Sequence, residues 1–324
     1  MFDISLGTNK KETQIDSEKI YDIIIIGGGP SGYSCAIYAA RYGMDAVIIA
    51  KERGGLVTST HIVENWPGEK AISGLDLMHK VEEHVKDYPV TIIDDSVIES
   101  KKEENIFYIK TQNGKKLKAY SILIATGTKR RELNAKGESE YANRGVSYCA
   151  TCDGPLFKNK IVGVVGGSDS AAKEALFLSE HAKKVYIIYR KEKIRAEPIN
   201  EKRVNENENI EIINNTNVIE IIGDGNRLTK VLFDKEYNGS KEFEIDGLFI
   251  EIGHLPQNDL AKQLGVELDE KGSIITDKYS KTNIEGVYAA GDVTDMEFKQ
   301  AITGAAQGTV AAFSAFEYIG KIKK

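Results

Sequence analysis

The sequence predicts an α/β protein made of two glycine-loop βαβ units, one after the other along the chain. Three observations carry this. Tyr21-Asp22-Ile23-Ile24-Ile25-Ile26 is a β-branched run that stops at glycines, as a strand buried on both faces of a parallel sheet does. The same plan of strand, glycine turn, helix and strand recurs from Lys160. A Cys-Ala-Thr-Cys run, Cys149 to Cys152, lies between the two.

In order, Ser31 to Tyr42 reads as a helix with small residues where it approaches the strand, and Ala46 to Ala50 as the second strand. A β-rich stretch follows: Val90 to Ile93, Ile106 to Thr111 and Ile122-Leu123-Ile124. In the repeat, Lys160 to Val165 is a strand, Gly166-Gly167-Ser168 a turn, Ala171 to His181 a helix and Val185 to Tyr189 a strand. Gly286 to Asp292 reads as a strand ending in a Gly-Asp turn. After it, Lys299 to Ile319 is an Ala- and Gly-rich helix whose Gly304 and Gly308 lie four apart and mark close packing. No low-complexity linker interrupts the chain, so short hinges join the units. The expected fold class is two Rossmann-like dinucleotide-binding domains with three-layer ββα architecture.

Composition bounds the function. A length of 324 residues suits two domains, and 41% hydrophobic with 28% charged residues is ordinary for a soluble protein. A net charge of −6 speaks against nucleic-acid binding. The apolar run Ile23 to Ile26 is far too short to span a membrane. The first twenty residues are polar and charged (Asn9-Lys10-Lys11-Glu12-Thr13), with no apolar h-region, and read as a surface tail or strap. The chain is expected to be cytoplasmic and free of the membrane.

Gly27-Gly28-Gly29-Pro30-Ser31-Gly32 matches G-x-G-x-x-G between a strand and a helix. Gly27 permits the tight turn, Gly29 lets backbone approach a pyrophosphate, and Gly32 lets helix and strand pack closely. Phosphates would sit on the helix N-terminus, where free N–H groups meet negative charge. Glu52 falls 20 residues beyond Gly32, in position to accept from a ribose; a solvated acid is the alternative.

Three cysteines are too few for a secreted disulfide scaffold. The two-residue spacing of Cys149 and Cys152 points to redox or metal chemistry. Zinc needs four ligands, and no second Cys pair or His cluster is present, so redox is favoured. Cys35 reads as a small buried hydrophobe.

Together these motifs resemble the low-molecular-weight thioredoxin reductases over nearly the whole chain. The carriers are the Gly27–Gly32 loop, Gly54-Gly55, Val63-Glu64-Asn65-Trp66-Pro67-Gly68, Ala125-Thr126-Gly127, Cys149-Ala150-Thr151-Cys152-Asp153-Gly154, Gly253-His254 and Gly291-Asp292. The resemblance implies a split FAD domain, residues 1–127 and 253–324, with an NADPH domain of residues 128–252 inserted. It implies FAD contacts at Gly27, Gly29, Pro30, Ser31, Gly32, Glu52, Gly55, Leu56, Asn65, Val97, Ala125, Thr126, Gly127, Gly291 and Asp292. Lys299, Gln300 and Ala301 would lie against the flavin, and Asp292 would reach its ribityl chain. The family's usual Arg is Lys299 here, and its usual Gln is Leu56. Cys152 would meet the flavin, Cys149 would attack the protein substrate, and Asp153 would be the acid-base residue. Asp153 also fits a turn or cap role. The pair can close a small disulfide, a good relay because the second thiol displaces a mixed disulfide on the first. The family rotates the small domain, which here implies hinges near Gly127 and Gly253, and it forms homodimers.

The second loop, Gly166-Gly167-Ser168-Asp169-Ser170-Ala171, has Ser168 where the middle glycine of the pattern belongs. Arg190, Lys191 and Arg195 follow the second strand. Basic groups there suit the 2′-phosphate of NADPH, whereas an acid would suit NADH. Gly167, Ser168, Asp169, Ser170, Arg190, Lys191 and Arg195 are therefore the expected NADPH residues, with Tyr189 and Lys191 replacing the family's His and Arg.

The expected function is thioredoxin-disulfide reduction, from NADPH through FAD to Cys149–Cys152 and on to a thioredoxin or glutaredoxin-like protein. The alternatives are an FAD-dependent dithiol oxidase, opposed by the basic trio, and a disulfide reductase with another donor such as a ferredoxin. A ferredoxin–NADP reductase would lack the Cys pair, and a non-enzymatic flavoprotein would not need all three chemical parts. Alkyl-hydroperoxide-reductase partner proteins add an N-terminal Cys-pair domain, for which the 26 residues before Gly27 leave no room.

Overall fold

The isoleucine run forms the middle of a mixed sheet, fully buried at Ile23, Ile24 and Ile25. In the computed structural model, which describes residues 18–323, it is the strand Ile20–Gly28. The polar segment Asn9–Thr13, read as a tail or strap, lies outside the described residues. Neighbouring strands run parallel on both sides, with Ile25 opposite Ile48 of Ala46–Arg53 and opposite Leu123 of Lys116–Ile124. The sheet order is Thr91–Ile93, Ala46–Arg53, Ile20–Gly28, Lys116–Ile124, Ile106–Thr111, Val97–Glu103. Val287–Ala289 also pairs in parallel with Lys116–Ile124. The last three strands of that order form an antiparallel meander. Helices Pro30–Arg41 and Ala301–Ile322 pack on each other. A Cβ on Gly308 would run into the backbone of Ser31, so the paired glycines serve close packing as expected.

Several elements escaped the sequence reading, including the strands and helix between Pro198 and Ile250, and in the first half of the chain one helix and one edge strand. Helix Gly74–Lys86 buries Leu77, Met78 and Val85 but leaves Leu75 exposed, so its apolar positions do not form a single clean stripe. Strand Val97–Glu103 lies at the sheet edge and is rich in charge, as edges are, so it lacks the alternation that marks a half-buried strand.

The repeat forms a second parallel sheet, ordered Ile210–Asn214, Lys184–Tyr189, Ile161–Val165, Gly247–Ile250, Val146–Ser147. Helix Asp169–Ser179 covers one face through Ala171, Ala172, Ala175 and Leu178. The antiparallel strands Val218–Gly223, Leu228–Tyr237 and Ser240–Glu244 supply Ile221, Val231 and Phe233 to a second core that includes Ile188 and Leu248. These are the expected three layers.

The chain divides into two compact units. One joins the N-terminal stretch to Gly55, Met78–Gly127 and the stretch from Pro256; the other joins Leu56–Leu77 to Thr128–Leu255. This division differs from the expected one in the segment Leu56–Leu77 and, by three residues, at the return to the first unit, which begins at Pro256 and not at Gly253. That segment is tied to the second unit by the Glu64–Arg203 ion pair at 2.9 Å and by His61 against the Phe177 ring, centroids 4.3 Å apart. Crossing strands Thr128–Arg130 and His254–Pro256 pair as a ribbon. No helix among the described residues is long and apolar enough to cross a membrane.

Candidate active site

The first glycine loop leaves its strand at Gly27, whose φ of +122° an L side chain rarely adopts. A Cβ on Gly27 would meet the Ala125 carbonyl, and one on Gly32 would meet the Gly27 carbonyl. Gly29, by contrast, faces open space at the N-cap of Pro30–Arg41, and no side chain caps that helix. Its first N–H groups therefore suit a phosphate, with Pro30 and Ser31 in the first turn.

The carboxyl ends of three adjacent strands meet at this loop. Ala125 N–H donates to the Ile26 carbonyl at 2.8 Å, and Ala290 N–H to the Ile124 carbonyl at 3.1 Å. Ala125-Thr126-Gly127 and Gly291-Asp292 are thereby set beside Gly27–Gly32, the switch-point position for a dinucleotide. Gly291 crowds Ser31, so a Cβ there would press on its hydroxyl. Gln307, which the sequence reading did not single out, accepts the Gly291 N–H at 2.9 Å.

Lys299 clasps the Gly-Asp turn, its ammonium donating to the carbonyls of Asp292 and Thr294, each at 2.7 Å. Burial lowers the Lys299 pKa, and burial raises the Asp292 carboxyl, with Lys299 opposing that rise. Gln300 and Thr303 cap the last helix reciprocally, and Ala301 opens it.

Glu52 lies exposed near the end of Ala46–Arg53. The strand end is held by a network that sequence did not reveal. Arg53 donates to Asp94 at 2.6 Å and to Glu82 at 2.7 Å, and Tyr33 Oη donates to Glu82 at 2.7 Å. Val97 begins the edge strand and pairs with Thr111. Gly55 and Leu56 open the turn Gly55–Ser59; Leu56 and the exposed Asn65 fall in the second unit.

In the second unit, Gly167 has no room for a side chain, since a Cβ would enter the Tyr189 ring. Tyr189 is buried beneath the loop. Ser168 is an extended N-cap residue with no side-chain cap bond, so helix Asp169–Ser179 also keeps a free N-terminus. Arg195 is brought to that loop. Its N–H donates to the Gly167 carbonyl at 2.6 Å, and it bridges Ser168. Arg190, Lys191, Arg195 and Ser170 are exposed. Asp169 points elsewhere, accepting from the Glu197 N–H at 2.8 Å and the Asn200 amide at 2.9 Å.

Cys149 and Cys152 form a disulfide with Cα atoms 5.3 Å apart. Cys149 caps the short helix Ala150–Asp153, and the Cys152 N–H points at its sulfur, 3.2 Å away. Asp153 Oδ2 accepts from Ser147 Oγ at 2.6 Å, and Ser147 Oγ accepts the Cys149 N–H at 3.1 Å. Cys35 is free and fully buried, and burial raises its thiol pKa beyond reach of neutral-pH chemistry, as its small-hydrophobe reading requires.

A bound FAD or NADPH supplies hydride and electron transfer. The fit to these groups rests on two uncapped helix N-termini, one opening at bare Gly29 and the other flanked by Arg195. Two dinucleotide units, one bearing a disulfide, define a pyridine nucleotide-linked disulfide oxidoreductase. The model of the pyridine nucleotide-disulphide oxidoreductase family matches residues 21–308. The chain is 40% identical over 313 residues to a thioredoxin reductase of Listeria innocua, covering 95% of this chain and 96% of that one. Thioredoxin reductase of Lactococcus lactis in its FR conformation superposes with a TM-score of 0.89 at 36% identity, covering 93% of this chain and 99% of that one. That of T. acidophilum gives 0.87 at 40% identity, with the same coverage. The chain belongs to the pyridine nucleotide-disulphide oxidoreductases, and within them to the thioredoxin reductases. That membership makes it a flavoprotein oxidoreductase of the FAD- and NADPH-dependent, disulfide-reducing kind.

Proposed function

We propose that this chain reduces the disulfide of a thioredoxin or glutaredoxin-like protein with electrons from NADPH passed through FAD. The observation that carries it is the Cys149–Cys152 disulfide, braced by Ser147 and Asp153 in the unit that also brings Arg195 to a bare helix N-terminus. The discontinuous unit built around Gly27–Gly32 holds FAD, and the unit built around Gly166–Ser170 holds NADPH. Arg190, Lys191 and Arg195 receive the 2′-phosphate, which favours NADPH over NADH and over a dithiol oxidase.

Once reduced, Cys149 attacks the partner's disulfide as a thiolate, forming a mixed disulfide and expelling one partner thiolate. The Cys152 thiolate then attacks the Cys149 sulfur, closing the internal disulfide and expelling the second. Asp153, held by Ser147, is placed to pass the protons these leaving sulfurs need. Leu156, 78% exposed and four residues beyond Cys152, offers an apolar foothold for a protein substrate.

A homodimer is supported by an aromatic patch on helices Pro30–Arg41 and Ala301–Ile322. Tyr42 stacks on Phe316 with centroids 4.9 Å apart, beside exposed Tyr38 and Phe313. The chain works in the cytoplasm, where free nicotinamide and thiol partners occur together.

The test is anaerobic. Oxidised, FAD-loaded protein is mixed with NADPH or NADH, flavin bleaching is followed, and thioredoxin disulfide is added. Bleaching by NADPH followed by recovery on adding the disulfide is expected. No bleaching by either nucleotide overturns the donor, and bleaching without recovery overturns the acceptor.

A further inference from the structure

A buried carboxyl pair lies behind the redox disulfide, outside every motif discussed above. Glu174, on helix Asp169–Ser179, accepts the N–H of Ala150 at 3.3 Å through Oε1. Ala150 is the residue after Cys149 and opens the helix that carries the pair. The other oxygen of Glu174 is buried with no donor in the protein. Glu251, 5% exposed at the carboxyl end of strand Gly247–Ile250, interacts with Glu174 through its side chain. Arg130, from the crossing strand Thr128–Arg130, acts on both, and its Nε is buried without an acceptor. The short helix presents only a backbone N–H. Burial first, then the Glu251 carboxylate, raises Glu174 above the usual carboxylate range, and burial raises Glu251.

Both carboxyls are buried, and burial together with their mutual repulsion disfavours ionising the two at once. A surface glutamate reaching for an N–H would need no such partner. We propose that Glu174 is a positioning residue for the redox disulfide: with Glu251 it forms a one-proton carboxyl pair that fixes the Ala150 N–H and sets the proton affinity of the Cys149 thiol. An N–H taken by Glu174 is withheld from the Cys149 sulfur, which keeps only that of Cys152. The residual negative charge of the pair also opposes thiolate formation. Cys149 is thereby held less acidic than its place at a helix N-cap would make it.

This rests on the Cys pair being the redox centre, and its test is independent of nucleotide and of thioredoxin. FAD-loaded protein is reduced with excess dithiothreitol, freed of it anaerobically, and the pH profile of iodoacetamide alkylation at Cys149 is read by peptide mass. E174Q keeps an oxygen for the Ala150 N–H but leaves the pair's charge on Glu251, off the group that takes that N–H, so the midpoint falls by about half a pH unit or more. E251Q hands Glu174 an amide donor and leaves it the full charge, so the midpoint moves upward. Loosened packing would not give opposite signs. An unchanged midpoint in folded, flavin-loaded E174Q, or a downward or absent shift in E251Q, overturns the proposal. A further measurement reads the proton directly: the unaltered protein at neutral pH should show the infrared carbonyl band of a buried protonated carboxyl that E174Q lacks, which separates it from Asp292. Its absence also overturns the proposal. Loss of thioredoxin turnover with these shifts intact would count against the proposed acceptor and not against the pair.

Discussion

Ser147 Oγ sits 2.6 Å from Asp153 Oδ2 and takes the Cys149 N–H at 3.1 Å, so one hydroxyl links the Asp153 carboxylate to Cys149. Ser147 ends a two-residue strand at the edge of the second sheet. Replacing it with Ala frees Asp153 and leaves the Cys149 N–H without an acceptor. A hydrogen bond to a charged group is worth about 1.5–3 kcal/mol, so S147A should lower turnover on a protein disulfide about tenfold or more. Flavin reduction by NADPH, followed in a stopped-flow instrument, should be unchanged.

Arg195 reaches the second glycine loop by its backbone, through the Gly167 carbonyl, and leaves its guanidinium exposed. R195A keeps that backbone bond. It should raise the KM for NADPH by about ten- to a hundredfold, the loss of a charged contact to phosphate, and leave the KM for NADH unmoved. Steady-state kinetics with both nucleotides checks this.

Gly308 separates helix propensity from packing. In a free helix, Gly to Ala stabilises by about 1 kcal/mol. Here the added methyl would collide with Ser31 backbone, in the first turn of the helix at the first glycine loop. Overpacking costs about 1–3 kcal/mol, so G308A should lower Tm by several degrees and release FAD earlier on heating. A rise in Tm would refute the packing role.

Asp169 gives an acid-side dependence. Burial would raise its carboxyl, but the Asn200 amide, the Lys173 ammonium and the Glu197 N–H hold it below the usual range. Its folded pKa therefore lies below its unfolded one. The stabilisation is present above the unfolded value, about 3.9, and is lost as pH falls through the folded value. D169N should cost about 1 kcal/mol at neutral pH, and the gap in Tm from the unaltered protein should close in acid. Calorimetry at the two pH values decides it.

The local parts of this protein were legible in its sequence. The isoleucine run, both glycine loops, the small-residue last helix and the Cys pair stand close to where periodicity and turn chemistry put them, because strand pleat, helix repeat and positive φ act over a few residues. Strand Val97–Glu103 and helix Gly74–Lys86 were among the elements not legible, since charge at a sheet edge breaks the alternation and exposed Leu75 blurs the helical stripe.

The sequence by itself determined which residue types were available: bare glycines for phosphate, a two-residue cysteine spacing, a basic trio. Only the tertiary structure decided which of them meet. It put Arg195 on Ser168, Tyr189 under Gly167, and Ser147 between Asp153 and Cys149. It also buried Glu174 with Glu251 behind Ala150, residues 77 apart in the chain whose shared burial no local pattern encodes. The reason is physical. Backbone propensity is set by near neighbours, whereas the desolvation of a carboxyl and the donor it finds are set by whatever the sheet brings alongside.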